Sequence, residues 1–250
     1  MIIDTHAHYD DKQFDGDLKE LLDEMQQNGV EKIITCGVNL KNSEEVLKLC
    51  EKYDMLYAAV GIYPHETRGQ NFDRPLLEKL AGHKKTVAIG EIGLDYYYDD
   101  SPRETQIDIL CKQLEVANEL CLPVTFHDRE AHADSLELLK KYKPQGVVHC
   151  FSGSKEMAKE IVKLGMYIGV GGALTFKNAR VLPEVVKEIP LTSIVLETDA
   201  PYMSPVPYRG KRNRSDYIIN IAEKVAELKG ISADEVLRIT NQNAVEIFKF

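Results

Sequence analysis

Ile2-Ile3-Asp4-Thr5-His6-Ala7-His8 stands at the start of the chain, an apolar pair running into two histidines spaced two apart. Residues two apart on an extended strand project to the same face, so both imidazoles can meet one ion. Asp4 lies one step deeper on that face, where it is expected to hydrogen-bond a ligand histidine from behind. The pattern recurs along the chain. Thr86-Val-Ala-Ile-Gly90 leads to Glu91, and Pro123-Val-Thr-Phe126 leads to His127. His149 closes Gly146-Val-Val, and Asp199 follows Ser193-Ile-Val-Leu-Glu-Thr198.

Working outward from these runs, eight strands are predicted: Ile2–Thr5, Lys32–Cys36, Leu56–Gly61, Thr86–Gly90, Pro123–Phe126, Gly146–His149, Tyr167–Val170 and Ser193–Leu196. Helical patterns fall between them, at Asp17–Asn28, Ser43–Tyr53, Pro75–Ala81, Pro102–Cys121, Ala133–Tyr142, Lys155–Leu164 and Ala179–Ile189. Asp216–Lys229 and a terminal pair, Ala233–Ile239 and Asn241–Phe248, follow the last strand. The strands are continuous apolar runs rather than alternating ones, as in a parallel sheet covered on both faces. Eight such units in 250 residues predict a single-domain (β/α)8 TIM barrel spanning residues 1–250. An open doubly wound sheet is the alternative, but no glycine-rich fingerprint follows the first strand.

A barrel carries its chemistry on the loops after the strands, which is where these residues stand. Taken singly, a strand-end histidine can be a hydrogen-bonded structural residue and a strand-end aspartate an N-cap. Five of the seven histidines (His6, His8, His65, His127 and His149) fall just after a predicted strand, a concentration that unrelated structural roles do not explain. A mixed imidazole and carboxylate set suits divalent ions such as Zn, Mn or Mg. Four histidines and two carboxylates exceed the needs of one catalytic ion, so two ions are expected, with Glu91 as the bridge. Asp199 would hold an attacking water and take its proton.

The formal net charge of −9 argues against broad basic surfaces gripping long nucleic acid, though not against local contact with phosphate. The odd, widely spaced cysteines (Cys36, Cys50, Cys111, Cys121, Cys150) suit a reducing compartment. With no leader-like N-terminus and no apolar run of membrane-spanning length, the expectation is a cytoplasmic protein with no membrane and no obligate protein partner. Cys150 adjoins His149 and would point to the opposite strand face, so a thiol–imidazole pair is not expected. No GxSxG nucleophile elbow occurs.

The motifs Asp4–His8 (DTHAH), Gly90–Tyr97 (GEIGLDYY), Leu122–Arg129 (LPVTFHDR), His149–Ser154 (HCFSGS), Glu197–Pro205 (ETDAPYMSP) and Arg209–Asn213 (RGKRN) give the chain an end-to-end resemblance to the TatD-type metal-dependent deoxyribonucleases of the amidohydrolase superfamily. That resemblance implies one ion on His6 and His8, a shared Glu91, a second ion on His127 and His149, and Asp199 as the ligand that activates water. Two departures stand out. Tyr63, in Gly61-Ile-Tyr-Pro-His65, occupies a position where many relatives carry histidine, while His65 is kept in some. Arg214-Ser-Asp216 stands where relatives often show Asn-x-Pro.

Substrate contacts are expected from Tyr63, His65, Arg129, Arg209 and Lys211. The basic cluster Arg209, Lys211, Arg212 and Arg214 lies in the loop that follows Asp199 and could equally be solvated. Tyr96, Tyr97 and Tyr98 could stack bases, and Asp95 could accept a hydrogen bond from a ligand histidine. The leading expectation is a DNase that cleaves phosphodiester bonds, exonuclease-like, with a metal-activated water. Another ester or amide hydrolase on the same two-ion scaffold, such as a D-aminoacyl-tRNA deacylase, is the alternative. A non-enzymatic binding role is the third, and the complete ligand set counts against it.

Overall fold

The computed structural model describes residues 1–69, 71–98 and 100–250. The strands are β1 (Ile2–Ala7), β2 (Val30–Cys36), β3 (Leu56–Val60), β4 (Thr86–Asp95), β5 (Val124–Arg129), β6 (Gly146–Val148), β7 (Tyr167–Val170) and β8 (Ile194–Leu196). Between them run α1 (Leu18–Gln27), α2 (Leu40–Lys52), α3 (Arg74–Ala81), α4 (Arg103–Leu120), α5 (His132–Tyr142), α6 (Lys155–Lys163) and α7 (Val181–Glu188). Two helices close the chain, α8 (Ile218–Lys229) and α9 (Ala233–Phe248). Successive strands pair in parallel in the order β1 to β8, the architecture of a (β/α)8 barrel.

The apolar runs have no polar alternation because both strand faces are covered. Ile2, Ile33, Ala58, Ile89, Val148 and Leu196 pack outward beneath the helices. Ile3, Ile34, Ala59, Ala88, Val147 and Val195 point inward, where Ile247 and Phe248 of α9 join them from the barrel floor. Burying one such side chain stabilises the fold by roughly 1.5–3 kcal/mol relative to exposure.

The seam between β8 and β1 is stitched mostly beyond the ends of the strands. Ala7 bridges Ala200, His8 N donates to Ala200 O (2.7 Å), and Asp199 N donates to His6 O (2.9 Å). Below, α9 spans the gap with side-chain amides: Asn241 accepts from Ile3 N (3.1 Å), and Asn243 donates to Ile194 O (2.7 Å). This α9 is one continuous helix rather than the expected pair. Asn241 and Asn243, polar residues that read as a break, are instead buried on its barrel-facing side.

Three strands outrun their predicted ends, the first running past Thr5 to Ala7 and so taking in His6. The fourth was expected to stop at Gly90 and the fifth at Phe126, but their pairing continues through Ile92↔Phe126, Gly93↔His127 and Asp95↔Arg129. Glu91 and His127 therefore lie within strands rather than just after them. The close approach depends on Gly93, at φ 150°, where an added Cβ would sit 1.9 Å from His127 O.

Candidate metal centre

At the end of the barrel where the strands finish, the side chains of His6, His8, Glu91, His127, His149 and Asp199 converge from β1, β4, β5 and the loops after β6 and β8. They fall into groups close enough to share an ion, His6, His8 and Asp199 in one and Glu91, His127 and His149 in another, while His6 and His149 also come within such reach of Glu197. Glu91 faces both. Its Oε2 lies 3.4 Å from His6 Nε2 and 3.6 Å from His8 Nε2, while its Oε1 lies 3.0 Å from His127 Nδ1 and 2.9 Å from His149 Nε2. Asp199 Oδ1 approaches from across the seam, 3.5 Å from His8 Nε2 and 3.8 Å from His6 Nε2.

The residues present fit divalent ions. His6 Nε2 and His8 Nε2 face each other at 3.2 Å, a separation two nitrogens adopt when each lies about 2.0–2.1 Å from one ion. His8 is oriented by its other nitrogen, since Nδ1 donates to Cys36 O (3.1 Å) and leaves Nε2 as a lone pair. His127 is held the opposite way round. Its Nε2 donates to Asp95 Oδ2 (3.0 Å), which turns Nδ1 toward Glu91, as expected of Asp95 from the sequence. His6 stacks on His149 with ring centres 3.8 Å apart, and its Nδ1 lies 3.5 Å from Cys36 Sγ.

The charges of this cluster sustain one another. Burial favours protonated Glu91, but the fields of His149 and His6 outweigh it and hold the carboxyl well below its ordinary range. Asp199 is likewise lowered, burial being overcome by His8 and His6. Burial opposes charge on His8 and His127, yet Asp199 and Glu91 raise the first to about 9, and Asp95 and Glu91 raise the second to about 9. His6, enclosed beside His149, is pushed down to about 4. The carboxylates Glu91, Asp199 and Asp95 are thus what makes the pocket favour positive charge.

Asp4 does not back a histidine ring, contrary to expectation. Its carboxylate turns across the seam and accepts from Thr198 N (3.0 Å), Thr198 Oγ1 (2.5 Å) and Ser215 Oγ (2.6 Å). It thereby fixes the loop that presents Asp199. That loop needs fixing, because Asp199 sits at φ 58°, a left-handed conformation that costs non-glycine residues roughly 1–2 kcal/mol.

The cavity above the cluster encloses about 650 Å³ and is lined by His8, Asp10, Tyr63, Glu91, His127, Arg129, His149, Cys150, Asp199 and Tyr202, among others. Tyr63 and Arg129 thus reach the mouth, and the Arg129 guanidinium stacks 3.9 Å over the Tyr97 ring. The Tyr63 hydroxyl donates to Asp95 Oδ2 (3.3 Å), and burial with the fields of Glu91 and Asp95 raises its pKa, so it stays neutral. His65, Arg209 and Lys211 stand outside the cavity lining. His65 Nε2 lies 3.3 Å from Asp95 Oδ2, and the Arg209 guanidinium packs 3.7 Å over Phe176. Arg212 and Arg214 are committed elsewhere: the first pairs with Asp17 (2.6 Å), the second with Asp216 (2.6 Å) and Glu24 (3.1 Å). Cys150 lines the cavity rather than the opposite strand face, because the strand ends at Val148 and Cys150 itself lies at φ 44°. Burial raises its thiol well above the usual range, which keeps it from serving as a thiolate.

Sequence reasoning passed over Glu197. It is 1% exposed, accepts a hydrogen bond from Cys150 N and lies 3.9 Å from His149 Nδ1. Burial pushes its carboxyl up to about 8. The signal was available: Glu197 and Asp199 are two apart, like His6 and His8.

The comparisons with known proteins agree with this geometry. The family model described as TatD related DNase matches residues 3–249. The chain belongs to that family. It is 40% identical to the uncharacterized metal-dependent hydrolase YabD of Bacillus subtilis (strain 168), across 100% of this chain and 99% of the relative. Among solved structures, the TatD homologue YJJV of Escherichia coli K12 superposes with a TM-score of 0.92 at 36% identity, covering 100% of this chain and 98% of that one. A TatD family hydrolase of Entamoeba histolytica gives a TM-score of 0.89 at 28% identity, with 99% and 97% covered. The protein is a metal-dependent hydrolase of the TatD family. No helix among the described residues is long and apolar enough to cross a membrane.

Proposed function

We propose that this TatD-family hydrolase cleaves phosphodiester bonds of DNA, working from an end, at two divalent ions. One would be held by His6, His8 and Asp199 and the other by His127 and His149, with Glu91 shared. The observation that carries this reading is the division of Glu91, whose two oxygens face separate histidine pairs at 2.9–3.6 Å. Ions held there would supply Lewis acidity toward the phosphoryl oxygens and would lower the pKa of a water so that it can lose a proton near neutral pH.

The chain's own groups do the rest. Asp199, ionised and on the solvent side of the cluster with 20% side-chain exposure, accepts the proton of the attacking water as the P–O bond forms and the leaving oxygen departs. Arg129 lines the cavity and donates to a phosphate oxygen, and its stacking on Tyr97 pre-orients the guanidinium. Tyr63 presents a neutral hydroxyl at the same wall. His65 lies beside Asp95, while Arg209 and Lys211 add positive potential around the mouth of an acidic protein. The rings of Tyr97 and Tyr98, 56% and 47% exposed, offer stacking surface to unpaired bases, which favours a single-stranded or frayed end. The family description, a related DNase, supports the same substrate class.

End-labelled single-stranded DNA incubated with the protein and Mg, Mn or Zn tests the reading, beside small esters and D-aminoacyl-tRNA. Progressive shortening of the DNA is the expected result. Intact DNA with turnover of an ester or of D-aminoacyl-tRNA would move the substrate to another bond class on the same ions.

A further inference from the structure

Beneath the cluster, two buried polar atoms have no hydrogen-bond partner among the described residues. His149 Nδ1 and Glu197 Oε2 each lack a hydrogen bond, and the other Glu197 oxygen, Oε1, lies 3.9 Å from His149 Nδ1. Both residues are enclosed, at 4% and 1% exposure. A buried polar atom left unsatisfied is costly, because nothing replaces the water it has lost. An unsatisfied ring nitrogen with a carboxyl oxygen 3.9 Å away therefore points to a bond completed in the working state.

The surroundings hold the carboxylate in place. Glu197 Oε1 accepts from Cys150 N, the amide directly after His149. On β7, Gly169 leaves the needed space, since a Cβ there would fall 2.5–2.8 Å from the carboxylate atoms of Glu197. On its other side the His149 ring presents Nε2 to Glu91 Oε1 at 2.9 Å and lies flat against His6. A lone pair on Nε2 directed at an ion requires the ring's proton on Nδ1, and Nδ1 faces Glu197.

We propose that Glu197 is a positioning residue for His149: it accepts a hydrogen bond from Nδ1–H when an ion occupies the Glu91–His127–His149 group, fixing the tautomer and angle with which Nε2 binds. The role rests on the two-ion reading above. Asp95 does the same for His127 at full hydrogen-bonding distance, 3.0 Å, so each imidazole of this group has its own carboxylate behind it. The His149–Glu197 contact then closes by less than an ångström on loading.

The test combines zinc affinity with the imidazole signals of His149. In the zinc-loaded parent, nitrogen-15 spectra are expected to show His149 as the Nδ1–H tautomer with a strongly deshielded ring proton. Glu197→Gln keeps the shape and an oxygen acceptor but cannot ionise in response to an ion on His149, so that proton moves upfield and affinity for one of the two ions falls about 10-fold. Glu197→Ala removes the acceptor, and affinity for that ion falls toward 100-fold. The ion-free Gln variant is expected to melt close to the parent, which separates positioning from a role in the fold. An unchanged His149 proton and parent-like affinity in Glu197→Gln would overturn the role while leaving the two-ion reading intact. A His149 ring in the parent that zinc does not shift would overturn both.

Discussion

His6 and His8 stand at the end of one strand, and Cys36 of the neighbouring strand flanks both, its carbonyl accepting a hydrogen bond from His8 Nδ1 and its sulfur lying beside Nδ1 of His6. His127 and His149 come from adjacent strands and have carboxylates behind them, Asp95 at 3.0 Å and Glu197 at 3.9 Å. The first pair therefore has neutral groups behind it and an anionic residue, Asp199, in front. The second has carboxyl groups behind it, Asp95 held ionised and Glu197 pushed up by burial, and shares Glu91 in front. A carboxylate behind an imidazole makes it a more basic ligand and fixes its tautomer. The division suggests a division of labour. On the reading proposed above, the Asp199 side would serve water and proton transfer, while the Asp95 and Glu197 side would retain its ion.

The largest expected effect of breaking this asymmetry is on the open side. Asp199→Asn keeps the size of the side chain but cannot take up a proton, so turnover is expected to fall about 10²- to 10⁴-fold while most of the bound metal remains. Single-turnover kinetics together with metal content by elemental analysis check it, and a rate near the parent's would remove Asp199 from the chemistry. On the closed side, Asp95→Asn is expected to weaken one ion about 10- to 100-fold and leave the other unchanged, as read by chelator competition. Equal weakening of both ions would erase the distinction.

Protonation gives a third handle. His8 and His127 are raised from 6.5 to about 9 in the ion-free fold. Their contribution to ion-free stability is therefore complete below pH 6.5 and lost as pH rises through about 9. Metal needs the deprotonated rings, so its affinity moves the opposite way. The gap in Tm between manganese-loaded and chelator-treated protein is expected to widen from pH 6.5 to 9, and a gap that narrowed would reverse the assigned sign. The smallest effect belongs to the rim. Arg129→Ala is expected to raise KM about fivefold with kcat nearly unchanged, as for a contact worth about 1 kcal/mol in ground and transition state alike.

Much of the molecule was legible in the sequence, because a barrel strand covered on both faces writes itself as an uninterrupted apolar run. The four histidines and two carboxylates could be found because barrel geometry gathers strand ends that lie far apart in the chain. What escaped depends on register and side-chain direction. Asp4 has the right spacing to back a histidine, yet it bonds Thr198 and Ser215 across the seam. Arg212 and Arg214 look like free charge until α1 brings Asp17 and Glu24 beside them. Glu197 stood two residues from Asp199, but its meaning required knowing that Gly169 leaves it room and that His149 turns Nδ1 toward it.

Counting ions on Glu91→Ala tests the shared carboxylate most directly. Elemental analysis after loading with zinc and removal of excess metal is expected to give two ions per chain for the parent and one or none for the variant. Two ions retained by Glu91→Ala at parent affinity would contradict the bridge on which the account rests.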